Sequence, residues 1–274
     1  TDPNSIVAPY YLEHVRQIVM EKYGADAVYR GGLTIEVAAD YDLSLVASRA
    51  VRSNLEELDK RQGFRGPLGH VATQDALAQE LRKIRSEVIS KKIRHQFLPT
   101  ALADKYTDDS WWEYTLGQVS KLDSTLADER RLLLPNELYR AVVTKIDPDG
   151  KNASLMIGSA IKAKLPISAM RWAKRIKPPE ISYGAQIVKT SEALKVGDIV
   201  NVKVSFPISE KADEPVSVAL EQEPLAQSAL LSMESSTGHV IAMIGGYSFD
   251  SSEYNRALQG ERQPGSSFKP TLYA

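Results

Sequence analysis

No cysteine occurs in the 274 residues, which excludes disulfides and thiolate chemistry. Histidine is scarce. His14, His70, His95 and His239 lie far apart, without the HxxxH or HExxH spacing that brings two imidazoles to one metal. The GxGxxG and GxxxxGK[ST] phosphate cradles are missing too, so neither a metal nor a cofactor is expected. No apolar run approaches the ~20 residues needed to span a bilayer. The opening "TDPNSIVAPYY" lacks the basic start and apolar block of a signal peptide, so the chain as it stands is expected to be soluble. A net charge of −1 provides no global attraction to nucleic acid or to an anionic membrane. What is present is ordinary for a folded protein: 43% hydrophobic and 25% charged residues, enough for one large or two modest domains.

Periodicity organises the first third into helices. "PYYLEHVRQIVMEKY" (9–23) reads as an amphipathic helix, opened by Pro9 and stopped by Gly24. "GGLTIEVAAD" (31–40) alternates Leu33, Ile35 and Val37, the pattern of a short strand. Asp42 is placed to cap the next helix, which ends at Gly63. After the break "FRGPLGH", a third helix starts at Thr73. Its second half is basic, with Arg82, Lys83, Arg85, Lys91, Lys92 and Arg94, and reads as a solvated face or a contact for an acidic partner, a glycan or a membrane surface. Trp111 and Trp112 read as packing anchors in a stretch with little pattern.

From residue 139 the period changes to two. Two alternating runs flank Asp147-Pro148-Asp149-Gly150, a hairpin signal. Further strands are expected at 161–167, 194–207 and 214–224, with a short helix at 168–176. Several short strands with one helix between them suggest an OB-like Greek-key barrel. Such barrels bind single-stranded nucleic acid on exposed aromatics over a basic groove. Here the aromatics are few (Tyr139, Trp172, Tyr183, Phe206), and only Trp172 beside Arg171, Lys174 and Arg175 resembles such a site. A protein or glycan dock, or a structural spacer, are the other readings.

Ser-x-x-Lys occurs twice, and roughly one match is expected by chance in a chain of this length. Ser159 and Lys162 fall in a turn and a strand, where nothing holds them together. Ser266 and Lys269 differ. They follow Pro264-Gly265, where Ser266-Ser267 can cap a new helix, placing the pair on one face of its first turn. A serine hydroxyl needs a base, and a lysine serves as one if burial or nearby positive charge lowers its pKa. Helix N-terminal amides favour a developing oxyanion. A capping serine followed by a solvent-exposed lysine is the alternative.

"RALQGERQPGSSFKPTLYA", preceded by "LLSMESSTGHVIAMIGGYSFD", resembles the opening of the transpeptidase domain of class A penicillin-binding proteins, whose first motif is Ser-x-x-Lys. "APYYLEHVRQIVMEKYGADAVYRGGLTIEVAADYDL" and "NLEELDKRQGFRGPLG" are similar to the family's segments after the glycosyltransferase domain and before the OB-like insertion. Val37-Ala38-Ala39-Asp40 departs from the family's usual Thr-Thr-Leu-Asp. The resemblance implies an α+β, multi-domain chain. It would comprise a linker at 1–63, an OB-like barrel at 64–224 with a helical insertion at about 70–135, and an incomplete transpeptidase domain at 225–274. It implies Ser266 as the acyl-accepting nucleophile toward penicillins or stem peptides ending in D-Ala-D-Ala, and Lys269 as its proton partner. The Ser-x-Asn and Lys-[Thr/Ser]-Gly motifs do not follow, and Lys189-Thr190-Ser191 lies before the serine. The implied parent polymerises glycan from lipid II and cross-links stem peptides outside the cytoplasmic membrane, held there by an anchor this chain lacks. The fragment alone is expected to be inactive. A cell-envelope protein is a possible partner of the OB-like domain, and no nucleic acid is expected. A non-enzymatic OB docking module is the competing reading. A serine β-lactamase shares the first motif but has no need of the OB-like insertion.

Overall fold

The computed structural model describes residues 8–96, 128–174, 186–211, 213–261, 263 and 265–273. The chain divides into two compact units. One runs Glu56–Leu225; the other joins Asp2–Leu55 to Ala226–Ala274.

The first unit is built on a barrel. Strands β2 (Leu138–Ile146), β3 (Asn152–Ile157), β4 (Ile161–Pro166), β5 (Asp198–Val204) and β6 (Val216–Glu221) follow the two-residue short strand β1 (Gly69–His70). Their order is β1-β5-β2-β3-β4-β6, and a further β5–β6 pairing closes five strands on themselves. All pairs are antiparallel except β4 with β6. Alternation does the sorting: β4 buries Ile161, Ala163 and Leu165 while Lys162 and Lys164 face solvent. The β2–β3 turn is the expected Asp-Pro-Asp-Gly, with Gly150 at φ 71°, where a side chain is strained. In place of the expected helix at 168–176, a short 3₁₀ turn (Ile167–Ala169) buries Met170 and Ala173 behind it. Residues 175 and 176 lie outside the described set, as do Trp111, Trp112 and Tyr183.

Helix α3 is Gln74–Gln96, capped by Thr73, whose hydroxyl accepts from the Ala76 amide at 3.2 Å. It packs Ile84, Val88 and Ile89 into the barrel core. Its charges are largely spoken for. Arg85 pairs with Glu129 at 2.9 Å, Lys91 with Glu137 at 3.1 Å, and Glu87 and Glu80 both hold Arg140. Arg82 and Lys83 remain exposed.

The C-terminal half of α2 (Tyr41–Gln62) is clamped to the same barrel by alternating charge. Glu56 pairs with Lys203 on β5 at 2.6 Å, Lys60 with Glu221 on β6, and Asp59 with Arg65 at 2.6 Å. Gly63 ends the helix as expected, at φ 97°. Burial pushes the Glu221 carboxyl above its ordinary value, against the hydrogen bond from Lys60 that draws it down. The folded chain therefore holds a proton where the unfolded chain has lost it. Stability from this group is full below about pH 4.5 and is lost as pH rises through the raised value. Glu221→Gln removes that slope. In urea unfolding, the stability of the variant relative to the natural chain is expected to increase as pH rises from 4 toward 7. An unchanged difference would contradict this assignment.

The second unit contains α1 (Pro9–Arg30), the first part of α2, the hairpin β7 (Leu230–Met233) with β8 (Val240–Ile244), and α4 (Lys269–Tyr273). Gly24 interrupts α1 rather than ending it: at φ 81°, ψ 166° it kinks the helix, which resumes to Arg30. Residues 31–40 form no strand. Leu33, Ile35 and Val37 stand exposed, and the Asp40 amide donates to the Ile241 carbonyl at 2.9 Å. Asp40, not Asp42, caps α2, accepting from the Leu43 amide at 2.7 Å. No helix among the described residues is long and apolar enough to cross a membrane.

Candidate functional site

Two regions carry sequence-derived candidates. On the barrel, Trp172 is half-buried. Its ring meets Phe64 edge-on at 5.9 Å, and Lys60 Nζ lies 5.8 Å from its centroid. Tyr139 is buried, its hydroxyl accepting from the Leu134 amide at 2.7 Å. These two rings therefore serve packing, and Phe206 is the exposed aromatic of the described group. Ser159 lies in the turn after Gly158 and Lys162 in β4, as their context requires.

The C-terminal pair is reached through a tightly held strap. The β7–β8 turn is closed by Glu234, whose amide donates to the His239 carbonyl at 2.9 Å, and by Gly238 at φ 74°. β8 is apolar because it is buried on the way in: Ala242, Met243 and Ile244 all lie in the interior. Gly245-Gly246 follow directly. A Cβ on Gly245 would stand 2.6 Å from Tyr10 Cδ1 and 2.8 Å from Asn255 Cα, so the backbone passes where only glycine fits. The strap then folds back: the Arg256 amide donates to the Gly245 carbonyl at 3.1 Å. Asn255 is buried and knits the bend, its amide donating to Gln259 Oε1 at 2.8 Å and its Oδ1 accepting from the Ala257 amide at 3.2 Å. The Tyr247 amide donates to Gln227 Oε1 at 3.0 Å.

α1 supports this strap. Tyr11 donates to the Val240 carbonyl at 2.9 Å and packs with Ala8 and Met243. Tyr10 donates to the Ser252 carbonyl at 2.9 Å and meets Phe249 edge-on at 5.0 Å. Sequence reasoning assigned none of these residues a part in the site. The Gly-Gly pair after an apolar strand was the available signal of a close backbone approach.

Ser266 and Lys269 come next. Gly265 opens a 3₁₀ turn (Gly265–Phe268) at φ 53°, and Lys269 is the first residue of α4. Lys269 thus directly follows the 3₁₀ turn that holds Ser266. Both side chains are exposed, and no hydrogen bond joins them among the described residues. The burial that would let a lysine act as base is not supplied by the described residues of this chain.

Residues 108–226 match the family model of the penicillin-binding protein OB-like domain. Penicillin-binding protein 1A of Pseudomonas aeruginosa is 28% identical over 97% of this chain and 25% of its own length. Its counterpart in Rickettsia prowazekii is 31% identical over 98% of this chain and 26% of its own. The chain belongs to the penicillin-binding proteins. The crystal structure of penicillin-binding protein 1A from Haemophilus influenzae matches with TM-score 0.60 and 25% identity, covering 97% of this chain and 30% of that one. This penicillin-binding protein chain thus spans about a quarter of the length of the curated relatives it matches, and its α+β make-up with an OB-like barrel is that of the family.

Proposed function

We propose that this chain supplies the nucleophile-bearing edge of a serine transpeptidase within a longer peptidoglycan synthase. The observation that carries the reading is the Ser266-x-x-Lys269 pair in a turn entering a helix, at the end of a strap held from two sides, in a chain similar to 1A proteins along nearly its whole length. In this reading Ser266 Oγ attacks the carbonyl of the penultimate D-Ala of a stem peptide. The ester forms as the amide bond to the terminal D-Ala breaks, and that D-Ala leaves with a proton. An amine from a neighbouring stem then attacks the ester, forming the cross-link and returning the serine hydroxyl. A penicillin enters at the first step. Its ring amide opens onto Ser266, and the leaving nitrogen stays tethered, so the acyl-enzyme persists. Lys269 exchanges the serine proton at both stages.

The exposure of both side chains supports a division of labour. The remaining walls of the pocket, with the Ser-x-Asn and Lys-[Thr/Ser]-Gly groups, come from elsewhere in the parent, as does the glycosyltransferase that polymerises lipid II. The parent works at the extracytoplasmic face of the cytoplasmic membrane. The test is labelling with a fluorescent penicillin. The full-length polypeptide is expected to label, its Ser266→Ala variant and the 274-residue chain alone are not. Labelling that survives Ser266→Ala would remove the serine from the reaction.

A further inference from the structure

We infer that Tyr10, near the start of the chain, is a positioning residue for the acyl-accepting serine, acting through the strap 245–256. The inference rests on the transpeptidase reading of Ser266. Tyr10 is 4% exposed, and three separate features of the strap converge on it. Its hydroxyl donates to the Ser252 carbonyl at 2.9 Å, its ring takes Phe249 edge-on at 5.0 Å, and its atoms occupy the space a Cβ on Gly245 or Gly246 would need, at 2.6 and 2.7 Å. The strap therefore lies directly on a side chain from a helix more than 230 residues away in sequence. Burial also pushes the Tyr10 phenol above its ordinary value, with the nearby Arg256 opposing it.

The strap is short and closed on itself, and the chain that leaves it leads to the serine. Arg256 returns to the Gly245 carbonyl at 3.1 Å, and the chain runs from Arg256 to Ser266 in ten residues. A nucleophile must be held within a fraction of an ångström of its line of attack. The rest of the pocket, contributed by other parts of the parent, can only meet Ser266 where this strap delivers it. Tyr10 consequently affects the chemical step and not the binding of the acyl donor.

The experiment compares acylation of the full-length polypeptide by a fluorescent penicillin at increasing concentration, separating the limiting acylation rate from the half-saturating concentration. Tyr10→Phe keeps the ring and deletes the bond to Ser252. Phe249→Leu loosens the same strap and keeps that bond. Both are expected to lower the limiting rate on the order of tenfold with an unchanged half-saturating concentration. Tyr29→Phe, on an exposed part of the same helix, is expected to match the natural protein. Natural limiting rates in the two strap variants overturn the inference while leaving Ser266 as nucleophile. If Tyr10→Phe does not fold, Phe249→Leu decides the matter by the same criterion. Labelling that persists in Ser266→Ala overturns the underlying reading, and the inference with it.

Discussion

Lys269→Ala in the full-length polypeptide is expected to slow acylation by penicillin about 10²–10⁴-fold, the usual range for loss of a positioned acid–base group. Neutral serine is a weak nucleophile, and its proton must leave as the ester forms. In the proposed reading Lys269, which enters α4 three residues after Ser266, is the group that takes that proton. Removal leaves the hydroxyl in place, and the half-saturating penicillin concentration should change little while the limiting rate falls. Stopped-flow acylation with a chromogenic or fluorescent β-lactam separates the two. A variant that retains the natural limiting rate would take Lys269 out of the proton path.

Gly245→Ala is expected to loosen the segment 240–256 by about 1–3 kcal/mol, the range found when extra volume is forced into a filled site. The added methyl would approach Asn255 Oδ1 to 2.7 Å and Asn255 Cα to 2.8 Å, and the latter is backbone that cannot rotate away. Relief strains the return of Arg256 to the Gly245 carbonyl, because Arg256 directly follows Asn255 in the chain. Amide hydrogen exchange is the direct measurement. Protection of amides across 240–256 is expected to drop by one to two orders of magnitude, following the energy change, while amides of β3 and β4 in the barrel keep theirs. Equal protection in the variant would mean that the strap has slack the distances deny. Since the strap carries the chain to Ser266, slower acylation should accompany the loss.

The barrel was legible because each of its strands states its own period. β4 alternates Ile161, Ala163 and Leu165 with Lys162 and Lys164, and Gly150 marks the turn that reverses β2 into β3. The same rule misread 31–40. Leu33, Ile35 and Val37 alternate as a strand should, yet a strand also needs a neighbour to hydrogen-bond, and alternation carries no information about one. The helix expected at 168–176 failed for a related reason: nine residues are too few for apolar spacing to separate a helix from a turn that buries Met170 and Ala173. Asp40 and Asp42 are both good caps by type, and the Leu43 amide settles on Asp40 because the helix begins at Tyr41.

At the candidate site, the Ser-x-x-Lys spacing at 266 and 269 was readable, but the packing of the strap that precedes it was not. Tyr10 follows Pro9 in an amphipathic helix and looks like any core tyrosine. Its contacts emerge only when the chain brings Gly245, Phe249 and Ser252 back to it, a long-range closure that no local pattern encodes. The other copy of the spacing, Ser159 and Lys162, runs from a turn into β4, and its side chains are exposed as those of Ser266 and Lys269 are, so the context of each pair and not its exposure separates the two.

Peptide mapping by mass spectrometry of the penicillin-treated full-length polypeptide identifies the residue that becomes the ester. A single stoichiometric adduct of the intact antibiotic mass is expected, on the peptide containing Gly265-Ser266-Ser267 and localised to Ser266. An adduct on any other residue, or none at saturating antibiotic, would contradict the assignment of Ser266 as nucleophile.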